Sequence, residues 1–252
     1  MEEREYQKKI ETNRLLMKSA FAKEGFKSDQ QKQIKQPPLT KLPVGENKIE
    51  LKKDFLATIK ESNILTIIND RKSNRVFKEE GITLEQLSFL LWCTQGVKGI
   101  RGNNYATVRT VPSGGARHAL ETYLAVINVD NLEKGIYHYL PLEHALELIV
   151  TLDNIEDSVV NSLDGQKWTE KSSVVFYYTA IPYRSEWRYT LDAHKLVLID
   201  AGHAVQNLYL GCGAISCGTC AVADYNQELA DKLLKLDGKD EFVIYAAPVG
   251  VI

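Results

Sequence analysis

The chain has 252 residues, enough for one large domain or two small ones, and its 44 % hydrophobic and 25 % charged residues belong to a globular protein, not a disordered one. Its 31 basic and 33 acidic residues leave a formal net charge of -2. No global positive field therefore draws it to a polyanion, and no basic patch with interleaved aromatics marks a nucleic-acid site. The longest apolar runs are strand-length, too short for a bilayer, and the acidic start Met1-Glu2-Glu3-Arg4-Glu5 has no apolar secretion core. A cytoplasmic protein without a membrane span is expected.

Residues 1–49 are rich in Lys, Gln and Glu and end in the proline-punctuated stretch Gln36-Pro37-Pro38 and Leu42-Pro43. Ile10, Leu15, Leu16 and Met17 recur near helical spacing, so a helix is expected over 6–21. The prolines cannot continue it, because they lack the amide donor and restrict the preceding residue. This segment reads either as an arm packing on another subunit or as a disordered tail. The domain proper is expected over 50–252.

Within it, 54–68 reads as a helix leading into a polar turn at 69–74. Thr83 caps a second helix carrying Leu87, Leu90, Leu91 and Cys93 on one face. A glycine-rich loop is expected at 96–102, then strands at 121–128, 135–140 and 145–151, the last two joined by a hairpin turn at 141–144. A short helix follows at 153–163. The apolar run at 173–181 fits a strand covered on both faces. A long helix over 194–211, a strand at 220–223, a helix at 227–236 and a final strand at 241–249 complete an α+β layered sandwich. A doubly wound dinucleotide fold is disfavoured, since no Gly-x-Gly-x-x-Gly follows the first strand.

Cys212, Cys217 and Cys220 form a Cys-x4-Cys-x2-Cys run, a spacing that an iron–sulfur cluster can use. Gly, Ala, Ile and Val surround them, and the fourth cysteine, Cys93, lies upstream on an apolar helix. They read as small buried hydrophobes, and no metal is expected.

Three other groups carry chemistry. In Arg71-Lys72-Ser73-Asn74-Arg75, two guanidinium groups flank a hydroxyl at alternate positions, which on an extended chain suits a phosphate. The same residues also fit a solvated basic turn. In Arg109-Thr110-Val111-Pro112-Ser113-Gly114-Gly115-Ala116-Arg117-His118, the glycines let backbone amides approach a planar ring or an anion. An ordinary Pro–Gly turn is the alternative. In the segment Asp200-Ala201-Gly202-His203-Ala204-Val205-Gln206-Asn207-Leu208, Gly202 and Ala204 suit close helix packing, and His203 fits a core histidine better than a catalytic one.

An Arg-x-Ser-x-Arg turn, a Pro-Ser-Gly-Gly-Ala loop, a Gly-His-x-x-Gln-Asn-Leu helix and the Gly218-Thr219 turn occur in that order over roughly residues 65 to 250. Together they resemble the nitroreductase superfamily, and with Gly135-Ile136-Tyr137-His138-Tyr139 they resemble its SagB/ThcOx-type dehydrogenases. The resemblance implies a nitroreductase-like α/β/α sandwich around a mixed, mostly antiparallel sheet, and a homodimer with FMN at its interface. Arg71, Ser73 and Arg75 would hold the phosphate and ribityl chain. Pro112, Ser113, Gly114 and Gly115 would lie against the ring, with Gln206, Gly218 and Thr219 nearby. NADH or NADPH is the implied electron donor, and a small molecule or peptide heterocycle the substrate, reacting in turn.

Two departures shape the expectation. The chain stops at Ile252 without the basic residue that many members carry beyond the final Val-Gly, which leaves the phosphate to Arg71 and Arg75, alone or with Arg117. Where azoline oxidases of this branch have Lys-Tyr, this chain has Pro182-Tyr183, so Tyr183 remains as the candidate catalytic proton handler. The missing lysine keeps a second class open, a non-enzymatic flavin-binding scaffold subunit.

Overall fold

The computed structural model describes residues 3–19, 26–45 and 47–252. The central sheet is built from β1 (Lys48–Glu50), β4 (Leu120–Val126), β5 (Gly135–Leu140), β6 (Ala145–Thr151), β7 (Val174–Ala180), β8 (Cys217–Thr219) and β9 (Phe242–Val251), while β2 (Val97–Arg101) and β3 (Ala106–Arg109) form a separate hairpin. The helices are α1 (Glu3–Leu16), α2 (Ile64–Asp70), α3 (Leu84–Gln95), α4 (Ile155–Ser162), α5 (Tyr183–Tyr189), α6 (Ala193–Ala214) and α7 (Gln227–Leu233).

Side-chain alternation along the strands makes two cores. From β4 and β7, Leu120, Leu124, Val126, Val174, Phe176 and Tyr178 face α3 and α6, joining Leu87, Leu90, Leu91, Val197, Ala201 and Leu208. Tyr123, Ala125, Val175 and Tyr177 face the opposite way, onto Ile155 and Val159 of α4 and Ala230 of α7. The result is the expected α/β/α sandwich, with every residue of β7 buried. Sheet order is β1-β6-β5-β4-β7-β9-β8, with every neighbouring pair antiparallel. The parallel component is an isolated bridge between Ile82 and Val129.

Several local expectations are corrected. The helix expected over 54–68 is broken into a 3-10 turn, Leu56–Thr58, and α2. The amides of Lys60 and Glu61 donate to the Ala214 carbonyl, and Asn63 then caps α2 by accepting from the Leu65 and Thr66 amides. The loop expected at 96–102 is strand β2: Gly96 leaves α3 with extended geometry (φ -55, ψ 127), and left-handed Gly102 and Asn104 turn the chain into β3. The late strand starts at Cys217 instead of residue 220, because left-handed Ser216 redirects the chain as α6 ends. Helix α5 fills the stretch between the strand expected at 173–181 and the helix expected over 194–211, for which no element was expected. Thr83 caps α3 as expected, in a full capping box with Gln86.

Helix α1 buries no residue, and the end of the expected helix at 20–21 lies outside the described residues. From residue 28 the arm is stitched to the body. Gln30 N–H donates to the Trp187 carbonyl, Trp187 Nε1 donates to the Ile34 carbonyl, and Lys41 reaches Glu121, Tyr123 and Glu241. Beneath it, His138 stands between Glu147 (2.8 Å) and Glu121 (3.0 Å), and Arg184 pairs with Glu121 at 2.6 Å.

Candidate functional site

After α2 the chain turns extended at Arg71 (φ -57, ψ 123) and runs along the sheet margin. Asn74 N–H donates to the Thr219 carbonyl and Lys78 N–H to the Val251 carbonyl, both at 2.9 Å. The close approach needs Gly218, where a Cβ would collide with the Asn74 side chain and with Ile252. A cavity of about 250 Å³ opens here, lined by Arg71, Lys72, Asn74, Tyr209, Ser216, Gly218 and Thr219 among others, with Glu61 and Asp70 also on its wall. Arg71 lies over the Tyr209 ring at 5.4 Å, and Ser73 Oγ is 3.1 Å from the Tyr209 hydroxyl. No described carboxylate pairs with Arg71 or Lys72. Arg75 diverges: it lies over the Trp168 ring at 5.9 Å and does not line the cavity.

The Pro112–His118 loop is packed on the other side of α6. Gly114 N–H donates to Asp200 Oδ1 at 3.1 Å, and His118 N–H donates to Ser113 Oγ at 2.9 Å. Gly115 is left-handed (φ 58), and a Cβ there would collide with the Tyr189 hydroxyl, so glycine is required twice over. Pro112 and Ser113 border a cleft of about 400 Å³, together with Lys98, Arg101, Thr107, Arg109 and His118. Burial, and then the charges of Arg109, Arg117 and Arg184, push the His118 imidazole down to about 3, so it is neutral at physiological pH. Burial raises the Asp200 carboxyl against the hydrogen bonds from Ser113 and Gly114.

Arg71, Gly218 and Thr219 thus share one cavity, and Pro112 and Ser113 another. Asp200 and Tyr209 lie nine residues apart, roughly 13 Å along α6 and on opposite sides of it. The two segments therefore flank one helix without sharing a cavity within one chain. Between them runs an exposed stripe of α6 with Leu198, Ile199, Gly202, His203 and Gln206. A Cβ on Gly202 would meet nothing within 4 Å, so the tight packing expected of it is not made inside the chain. Gly211 fills that role against Leu90 and Cys93 of α3. His203, expected in the core, is exposed. Arg117 does not join Arg71: it donates to the Tyr105 carbonyl at 2.7 Å and stacks on Tyr105 and Trp187. Tyr183 lines neither cavity, and its hydroxyl donates to Asp29 Oδ2 at 2.9 Å, which raises its proton affinity. Asp200 and Tyr209 are the site residues that motif reading missed; Asp200 opened a recognised motif but had no assigned role.

The four cysteines are free thiols, and no group of His, Cys, Asp and Glu among the described residues is arranged for a metal ion. Burial pushes Cys93 and Cys217 up to about 12, which suits inert core thiols. No described helix is long and apolar enough to cross a membrane.

Residues 68–251 match the nitroreductase family model. The chain belongs to the nitroreductase family. A Methanocaldococcus jannaschii protein assigned by name to the nitroreductases is 28 % identical over 195 residues, covering 77 % of this chain and 94 % of that one. The microcin B17-processing protein McbC of Escherichia coli is 30 % identical over 135 residues. That match covers 51 % of this chain and 49 % of McbC, so it spans about half the length of that relative. Among solved structures, a nitroreductase-type protein of Ralstonia eutropha superposes with a TM-score of 0.66 at 23 % identity, covering 90 % of this chain and 95 % of that one. The E. coli microcin synthetase McbBCD complex with a truncated pro-peptide superposes at 0.61 and 22 % identity, over 81 % of this chain and 77 % of the matched one. At these identities the superpositions show the nitroreductase fold.

Proposed function

We propose that this nitroreductase-family oxidoreductase is a homodimer that binds FMN between subunits and passes two electrons from NADH or NADPH to a small molecule or peptide heterocycle. The observation that carries this reading is a split pair of half-sites flanking α6: cations without carboxylate partners on one side, and a glycine loop held by Asp200 on the other. The exposed α6 stripe between them suits a two-fold contact, in which each subunit's cation segment meets its partner's loop.

The residues fit the cofactor. Arg71 and Lys72 offer free charge at a cavity wall that also includes Ser216 and Thr219. Pro112 and Ser113 line a cleft where a planar ring can lie, and the Asp200 bond to the Gly114 amide fixes that loop before any ligand arrives. FMN, when bound, supplies the two-electron redox centre; the chain orients it and keeps it from water. Neutral His118 stands at the cleft as an uncharged hydrogen-bonding group.

Purified protein is expected to be yellow and to release FMN on denaturation. A colourless protein that refuses added FMN contradicts the proposal. One observation favours the scaffold reading instead: Tyr183 is engaged with Asp29 and stands beside Pro182, so no Lys-Tyr pair faces the cleft. Stopped-flow mixing of the FMN-loaded dimer with NADH and NADPH separates the two. Bleaching of the flavin supports an enzyme, and no bleaching with either donor supports a scaffold, as a subunit of a biosynthetic complex would be.

A further inference from the structure

We infer that the cleft between the β2–β3 hairpin and the Pro112–Ser113 loop is an oxyanion site, in which Lys98 and Arg101 hold a phosphate or carboxylate of the molecule that exchanges electrons with the flavin. The assignment of that molecule rests on the FMN proposal above, but the anion site itself does not.

The charged side chains around this cleft of about 400 Å³ are Lys98, Arg101 and Arg109, and no carboxylate lines it. That is unexpected in a chain whose acids outnumber its bases, 33 to 31. It also contrasts with the cavity at Arg71, whose wall includes Glu61 and Asp70.

The three cations are not equivalent. Arg109 is buried, and its guanidinium is committed: Nη1 donates to Gln95 Oε1 at 2.7 Å, Nε to Thr107 Oγ1 at 3.1 Å and Nη2 to the Leu39 carbonyl at 3.4 Å. It therefore acts as a fixed positive charge behind the wall. Lys98 and Arg101 are exposed on β2, and neither side chain has a hydrogen bond or ion pair among the described residues. Exposed cations in front of a fixed buried one focus a positive potential into a concave space. His118 registers that field: burial and the neighbouring guanidinium groups keep it uncharged, so it faces an anion as a neutral hydrogen-bonding group.

Position within the chain argues against the simplest alternative, that these cations are the flavin phosphate clamp. The cleft adjoins the loop assigned to the ring, whereas Arg71 and Lys72 lie across α6. An anion held by Lys98 and Arg101 then belongs to a second ligand, either the diphosphate of a nicotinamide dinucleotide or a substrate carboxylate.

The test uses calorimetric titration of the full-length, FMN-loaded chain with inorganic pyrophosphate and with malonate, repeated on the Lys98→Gln/Arg101→Gln double variant. Both substituted side chains are exposed, and a thermal melt of the variant matching the parent checks that its fold is intact. At least one probe is expected to bind the parent, and the variant to bind it roughly tenfold or more weakly, as expected for loss of charge-assisted contacts. FMN affinity is expected to be unchanged. Stronger binding of pyrophosphate assigns the site to the dinucleotide, and stronger binding of malonate to a carboxylate substrate. No binding of either probe, or equal binding by parent and variant, overturns the oxyanion site. An equal loss of FMN affinity in the variant also overturns it, by making these cations the flavin clamp. If the chain takes up no FMN, the titration is run on the Arg71→Ala variant, which removes the other cationic cavity. Probe binding there that still depends on Lys98 and Arg101 upholds the anion site while the flavin proposal fails, and its absence overturns the site as well.

Discussion

Charge is treated in opposite ways on the two sides of the sheet. Under the arm, each buried carboxylate is matched. Glu121 accepts from Arg184, His138 and the Lys41 amide; Glu147 accepts from His138 and the Val44 and Gly45 amides; Glu241 accepts from the Lys41 ammonium and Thr179. Both His138 nitrogens face carboxylate oxygens, which favours charge on the ring. Burial opposes that charge, and Glu121 and Glu147 overrule it, raising the proton affinity. Around α6 and β2, by contrast, Arg71, Lys72, Lys98 and Arg101 have no carboxylate partner among the described residues. Where charges are satisfied internally they fix the arm. Where they are left over, they are available to a ligand.

The largest expected effect comes from breaking the satisfied side. Glu121→Ala leaves Arg184 and His138 buried with one carboxylate fewer, and should destabilise the fold by about 3–5 kcal/mol in urea unfolding. A loss below 1 kcal/mol would mean the network is solvated and the contrast false. On the unsatisfied side, Arg71→Ala should leave the unfolding midpoint in place and weaken FMN binding by about 1.5–3 kcal/mol in a flavin fluorescence titration. An equal drop in stability would make Arg71 structural. The third effect is the pH response, read as a slope. His138 has a raised folded pKa, so its contribution is complete below about 6.5 and is lost as pH rises through the folded value, at up to about 1.4 kcal/mol per pH unit. His118 is lowered to about 3, so its contribution is lost in the other direction, as pH falls from about 6.5 toward 3. His138→Gln should flatten the alkaline limb of stability against pH and leave the acid limb; loss of both limbs would refute the assignment.

Much of this was legible in the sequence because its causes are local. β-branched and aromatic character, with a hairpin turn at 141–144, placed β5 and β6 at their observed bounds, and Thr83 with Gln86 marked the start of α3. Glycines at 114, 115 and 218 flagged places where backbone comes close to something else, and each proves to have no room for a Cβ or only tight room. What stayed hidden depends on partners distant in sequence. The break after Thr58 needs the Ala214 carbonyl, α5 is held by the arm through Gln30 and Ile34, and Tyr183 is turned to Asp29. The roles of Asp200 and Tyr209 follow from which side of α6 each segment packs against, and no motif spacing encodes that. Glu121, His138 and Glu147 looked like ordinary strand residues, because a buried charge network is assembled only when β4, β5 and β6 pair.

The central claim is that one subunit's Arg71 and its partner's Gly115 loop complete a single FMN site. Arg71→Ala and Gly115→Val, each purified and shown to bind FMN poorly as a homodimer, can be unfolded together, refolded as a mixture and titrated with FMN. If the site is shared, half of the randomly formed dimers carry one intact site, and about one quarter of the parent's FMN capacity should return. If each site lies within one chain, no combination restores it, and a mixture that binds no more FMN than the separate variants contradicts the account.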